Sequence, residues 1–332
     1  MSNKFIIAID AMGGENSPKK IIDGIIDFSN HKNDIFYRIF GNKKKIEQIL
    51  SNKLNKDIYE IIHTEDFVKD EDSALMGAKN KNTSMWMAVE SVKNKESDIV
   101  ISAGNTGALF IIAKLNLEMI EKIEKPALSG LWPNKNGMNV VLDLGANIEC
   151  SEKNLIDFSI MGTSLFKSLF PTEEAKVALL NIGSEAYKGN EIIKNTYQKL
   201  MEMKKNFTFK GYVEGNNIMS GDVNVIITDG FTGNIALKTA EGTANFISTE
   251  LKKAITSNLI GKFSTLINIK NLNKFKDKLD PRKYNGAILI GLKSPVVKSH
   301  GSTDHVGFSN SLSVCEKIIK GRLIDKIKEN IF

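Results

Sequence analysis

The chain has 332 residues, 42% of them hydrophobic and 25% charged, which is enough apolar content for a sizeable core and excludes a disordered chain. Its net charge of +6 comes almost wholly from lysine, and no zinc-finger spacing, helix-turn-helix signature or aromatic RNA-binding pattern accompanies it, so no nucleic acid partner is expected; an acidic protein or an anionic membrane surface fits the balance. Cys150 and Cys315 lie far apart without CxxC spacing, which excludes a disulfide framework or a zinc site and fits a reducing cytoplasm, with no metal and no cofactor expected.

Apolar, β-branched runs alternate with helical patterns, which predicts a three-layer α/β/α fold with a largely parallel sheet, a single domain over residues 1–332. The run from Phe5 to Ile9 reads as a first strand and is too short for a secretory signal core. Ser17 and Pro18 have the chemistry of a helix cap and first turn, a strand follows near Phe36 to Phe40, and a helix starts at Lys43. His31 and His63 read as surface residues. The uncharged stretch from Ile99 to Ala113 contains Ser, Gly, Asn and Thr and is too short and too polar to span a membrane. Ser151 begins a helix through Leu155, Phe158, Ile160 and Met161.

One design recurs: an apolar strand running into a polar, glycine-bearing loop. FIIAID leads to AMGGENSP, DIVIS to AGNTGA, VVLDL to GANIECS, VALLN to IGSEAYKG, and VIITDG to FTGN. In the last of these Gly230 and Gly233 let the backbone turn, and Asn234 sits near the start of a helix whose free N–H groups suit an anion. Ligands of open α/β sheets sit at the carboxyl ends of strands, so the loops are expected to face one crevice suited to a phosphate-bearing substrate.

From Thr243 to about residue 280 the pattern changes to a basic amphipathic helical arm. Ile247, Leu251, Ile255, Leu259, Phe263, Leu266 and Ile267 recur at helical spacing beside many lysines, with a break expected at Gly261. Such a stripe packs on a core or a twin subunit, or touches an anionic membrane; Leu259, Ile260 and Phe263 are the membrane-contact candidates.

Several catalytic signatures are missing: no GxGxxG, GxSxG or HExxH occurs, and GSEAYKGN departs from a P-loop because its second glycine is one residue late and its lysine precedes it. What remains is a set rich in phosphate donors: Asp10, Gly13 and Gly14; Gly104, Asn105, Thr106 and Gly107; Lys188; Asp229, Gly230, Gly233 and Asn234; and Lys298, Ser299, His300, Gly301, Ser302 and Asp304. In order, IDAMGGENSP, ISAGNTGAL, LDLGAN, NIGSEAYKGNE, TDGFTGNIALKTAEG and GLKSPVVKSHGSTD resemble the acyl-acyl carrier protein:phosphate acyltransferase family (PlsX) over essentially the whole chain. Glu15, Lys125 before Pro126, and Asn224 depart from its more usual Asp, Arg and Asp.

The resemblance implies transfer of a long-chain fatty acyl group from acylated acyl carrier protein to inorganic phosphate, giving acyl phosphate for phosphatidic acid and phospholipid synthesis. It also implies a fold similar to phosphotransacetylases and to isocitrate and isopropylmalate dehydrogenases, a homodimer, a cytoplasmic protein at the membrane periphery, and delivery to a membrane glycerol-3-phosphate acyltransferase. Lys188 and Asn234 match residues that the family uses in its active site. Phosphate attacks a thioester without help from a protein nucleophile, which suits the missing elbow and triad. Lysine would hold the dianion, and Asn234 or a backbone N–H would donate to the oxyanion, worth about 3 kcal/mol per donor. For His300 three roles stay open: assisting the thiolate, bonding phosphate, or shaping its loop. The alternatives are a short-chain phosphotransacetylase using coenzyme A and a non-catalytic lipid-phosphate-binding protein.

Overall fold

The computed structural model describes residues 4–30, 34–203, 206–258, 267–278 and 280–331. Its strands are β1 Phe5–Asp10, β2 Ile35–Gly41, β3 Tyr59–His63, β4 Ile99–Ser102, β5 Ala127–Pro133, β6 Met138–Leu142, β7 Lys176–Asn181, β8 Thr208–Glu214, β9 Val225–Ile227, β10 Ala287–Ile290 and β11 Val296–Lys298. They form one sheet of 11 strands in the order β3-β2-β1-β4-β11-β10-β5-β6-β9-β7-β8. The pairings β11–β10, β10–β5 and β5–β6 are antiparallel and the rest parallel, so the expected largely parallel α/β sheet is present.

Those antiparallel steps reverse the sheet. β1, β4 and β11 end at one edge and β6, β9 and β7 at the other, which corrects the expectation that every glycine loop opens into one crevice by strand direction alone.

Alternation along the central strands sorts the core into layers, because successive side chains of a strand point to opposite faces. Ile7, Ile9, Ile99 and Ile101 join one extended core with α1 Lys19–Ser29, α2 Lys43–Leu50, α6 Glu152–Leu169 and the helix His305–Lys320. On the other face Ala8 and Val100 pack with α4 Ser84–Lys93 and α5 Thr106–Asn116, while Val141, Ala178 and Ile226 form a separate core under α8 Gly230–Thr256. The second face thus carries two cores, one in each half of the sheet.

Local sequence signals were mostly obeyed. Ser151 caps α6 with a full capping box, in which Asn154 returns a bond to the Ser151 N–H, an arrangement worth about 1 kcal/mol. Ser17 does not cap α1; the helix starts after Pro18 without a side-chain cap, and the Ser17 hydroxyl instead donates to the Gly13 carbonyl at 2.6 Å, holding the first glycine loop. His63 is exposed beside Glu65, and His31 lies outside the described residues.

The arm is continuous with α8, which runs unbroken through Thr243 and whose side chains are exposed from Glu241 to Ala254. A second helix of the arm covers Ile269–Lys278. The expected break at Gly261 and the membrane-contact candidates Leu259, Ile260 and Phe263 lie outside the described residues. No helix among the described residues is long and apolar enough to cross a membrane.

Candidate active site

At the carboxyl ends of β1, β4 and β11 three loops meet. Asp10 is fully buried and accepts from the hydroxyls of Ser84 and Ser102, both at 2.6 Å, and from the Met12 N–H at 3.2 Å. Burial raises its proton affinity, against the pull of those donors and of Lys298. The loops touch backbone to backbone: a Cβ on Gly13 would lie 2.6 Å from the Gly104 nitrogen, so only glycine permits this approach. Asn105 caps α5 by accepting from the Ala108 N–H at 3.0 Å, and its amide donates to the carbonyls of Asp70 and Asp72. Thr106 and Gly107 follow in the first turn, where N–H groups lack helical acceptors, so α5 opens its positive end towards this cradle under a neutral cap.

Lys298 ends β11 with its amine donating to the carbonyls of Ala103 and Ser299. Burial, and next the charge of Lys20, lower its pKa to about 8. Ser299 is fully buried; its hydroxyl accepts from the Asn285 amide at 2.9 Å and from the Ser311 hydroxyl at 3.2 Å, so its side chain is used to anchor the loop. Asn285 also accepts from the His300 N–H at 2.9 Å. The His300 Nδ1 accepts from the Ser302 N–H at 3.3 Å, which places the proton of neutral His300 on Nε2 as a donor. Burial, with Lys298 next, holds His300 below its usual pKa and so in that neutral form. Gly301 supplies the carbonyl to which Lys20 donates. Ser302 is exposed at the rim, while Asp304 caps the helix His305–Lys320 and pairs with Arg282 at 2.9 Å.

The second group lies at the carboxyl ends of β6, β9 and β7. Asp143, fully buried, accepts from the N–H groups of Leu128, Gly145, Ala146 and Asn147 and from the Asn147 amide. Gly233 passes so close to this loop that a Cβ there would sit 1.9 Å from the Asp143 carbonyl oxygen. Asp229, not Asn234, is the cap of α8: it accepts from the Thr232 N–H at 2.8 Å and hydroxyl at 2.9 Å. The Gly230 N–H is taken by the Asn147 carbonyl at 2.8 Å. The α8 start is therefore largely satisfied internally and carries a carboxylate, so it offers less to an anion than the sequence suggests. Asn234 stands one turn further along, exposed, over Gly145. Lys188 belongs to the loop after β7, where the Asn181 amide donates to the carbonyls of Gly183 and Lys188, both at 3.2 Å; its amine lies 5.7 Å from the Tyr187 ring centroid.

What links the groups is α8 itself. Asn234, Lys238 and Glu241 fall at i, i+4 and i+7 on one helical face, and Lys238 and Glu241 are close enough to His300 to act on its proton affinity. The helix that starts at the second edge thus carries Asn234 on the face it presents towards the first cradle. The sequence reading missed Lys20, Asp143, Asn147 and Asn285. No group of three or more His, Cys, Asp or Glu side chains is gathered for a metal among the described residues.

This architecture defines the class first. The phosphotransacetylase EutD of Staphylococcus aureus shares the fold over 96% of this chain and 94% of its own, at TM-score 0.63 and 13% identity. Residues 5–326 match the model of the family described as Fatty acid synthesis protein. The phosphate acyltransferase of Pelagibacter ubique is 68% identical over 100% of both chains, and that of Paramagnetospirillum magneticum 40% identical over 99% of this chain and 94% of the relative. The chain belongs to the phosphate acyltransferase family, the acyltransferases that its motifs resemble.

Proposed function

We propose that the chain transfers a long-chain fatty acyl group from acylated acyl carrier protein to inorganic phosphate, supplying acyl phosphate for phospholipid synthesis. The observation that carries this reading is the cradle of bare glycine loops beside the half-buried Lys298 amine and the neutral-capped start of α5. Phosphate held there attacks the thioester carbonyl; its oxygen forms the new C–O bond, and collapse of the tetrahedral intermediate breaks the C–S bond and releases the carrier thiolate. Asn234 and Lys188 stabilise the developing charge, and the Nε2–H of His300 donates to phosphate or to the leaving sulfur. Neither cysteine suits a covalent route: Cys150 is buried with its thiol pushed up to about 11, by burial first, and Cys315 is fully buried.

The exposed apolar side chains of the arm, among them Phe246, Ile247 and Ile267, support the further reading that two copies pair through it and that its basic face rests on an anionic membrane surface. There the protein would hand its product to a membrane glycerol-3-phosphate acyltransferase.

Donor choice is the test. With phosphate fixed, kcat/KM for palmitoyl-acyl carrier protein is expected to exceed that for acetyl-coenzyme A by on the order of a hundredfold, read as released thiol matched by acyl phosphate. Equal or better use of acetyl-coenzyme A would make the chain a short-chain phosphotransacetylase. Turnover of neither donor would leave only binding of lipid phosphates.

A further inference from the structure

Lys20 lies in α1 on the same row as Gly24 and Phe28, all three buried, and only 5% of its surface is exposed. A lysine in such a row costs desolvation that needs a reason. Its amine donates to the Gly301 carbonyl, as the Lys298 amine does to the Ala103 carbonyl. These groups stand together: a Cβ on Gly14, whose φ of +81° is itself a glycine conformation, would lie 2.7 Å from the Ala103 oxygen, 2.9 Å from the Gly301 oxygen and 2.9 Å from the Lys20 amine. The buried Lys20 amine and the half-buried Lys298 amine thus flank the same stretch of bare backbone. Neither forms an ion pair among the described residues; Asp10, Glu15 and Asp70 act on them only at longer range. Each ammonium has three protons, and the carbonyls do not use them all.

We propose that Lys20 and Lys298 form a two-amine clamp that binds the attacking inorganic phosphate as a dianion over Gly14. The proposal rests on the phosphate acyltransfer reading and deepens it by naming Lys20 as the second cation. A dianion offsets both charges at once and accepts the spare protons, which removes the penalty of burying two like charges side by side. The surrounding charges fit. Lys20 is held below its usual proton affinity by burial, while Glu15 and Asp70 raise it; His300 lies on the Lys298 loop, with Lys238 and Glu241 of α8 beyond it. Because Lys298 titrates at about 8, phosphate binding weakens as pH rises through that value and the amine loses its charge.

The test compares the parent protein with Lys20→Met and Lys20→Gln, the second keeping a donor for the Gly301 carbonyl. Two readouts are taken: the KM values for phosphate and for the acyl donor, and the rise in melting temperature produced by inorganic phosphate alone. Both variants are expected to raise the phosphate KM by about tenfold or more while the donor KM stays within about twofold, and to lose most of the phosphate-induced rise. The pH midpoint of the phosphate KM should move upward in them, since the Lys20 charge no longer opposes protonation of Lys298, a change that a merely structural lysine would not produce. An unchanged phosphate KM and thermal response in either folded variant overturns the clamp. A parent that makes no acyl phosphate, yet gains a phosphate-dependent thermal rise that the variants lose, would defeat the acyl-transfer reading and leave the clamp standing.

Discussion

Asn234→Ala is expected to lower acyl phosphate formation by about a hundredfold or more while leaving the protein as stable as the parent. Asn234 is exposed at the first full turn of α8, over Gly145, and shares a helical face with the Lys238 and Glu241 that act on His300. A side-chain amide so placed, without a hydrogen-bond partner of its own among the described residues, is free to donate to an oxyanion. Stability should be kept because alanine favours a helix interior by up to about 0.7 kcal/mol over asparagine. Lys188→Ala should show a comparable loss, on the strength of the motif resemblance, with the fold kept because the Asn181 amide holds the Lys188 backbone, which the substitution leaves intact. Melting curves beside steady-state rates check both. Near-normal turnover in either folded variant would remove that residue from the chemistry.

Asp143→Ala should instead cost stability, by about 4 kcal/mol, because it leaves up to five donors of one buried loop without their acceptor. Leu128 loses its partner on β5, and Gly145, Ala146 and Asn147 lose the group that curls their backbone beneath Asn234. Asp143→Asn should lose roughly half as much, since its oxygen can still accept from Leu128, Gly145 and Ala146 while its amide is set against the donors of Asn147. Urea denaturation of the two variants measures the difference. A loss below about 1 kcal/mol for Asp143→Ala would mean that the loop is held by other contacts.

Much of this fold was legible because its strands are buried on both faces and so appear as unbroken apolar runs: FIIAID, DIVIS and VALLN each became the expected strand or its core. Sheet direction was not legible. The reversal through β10, β5 and β6 depends on which strands pair, and no residue near Ile290 or Pro133 announces it. The glycines of the loops were visible, but their tasks were not: Gly233 serves close approach to the Asp143 carbonyl, whereas Gly14 leaves room for the Lys20 amine and the Ala103 and Gly301 carbonyls. Lys20 did leave a trace, a lysine four residues before Gly24 and eight before Phe28 on the apolar row of KKIIDGIIDF. Asn285 left none, since its three long-range contacts come from one loop and a helix distant in sequence.

Direct attack by phosphate is the centre of the account, and rapid-quench single turnover with acyl-labelled acyl carrier protein tests it. Without phosphate the carrier thiol should stay acylated and the protein unlabelled; on adding phosphate, thiol and acyl phosphate should appear together at one rate. A burst of free thiol in the absence of phosphate, with the label retained on the denatured protein, would contradict it.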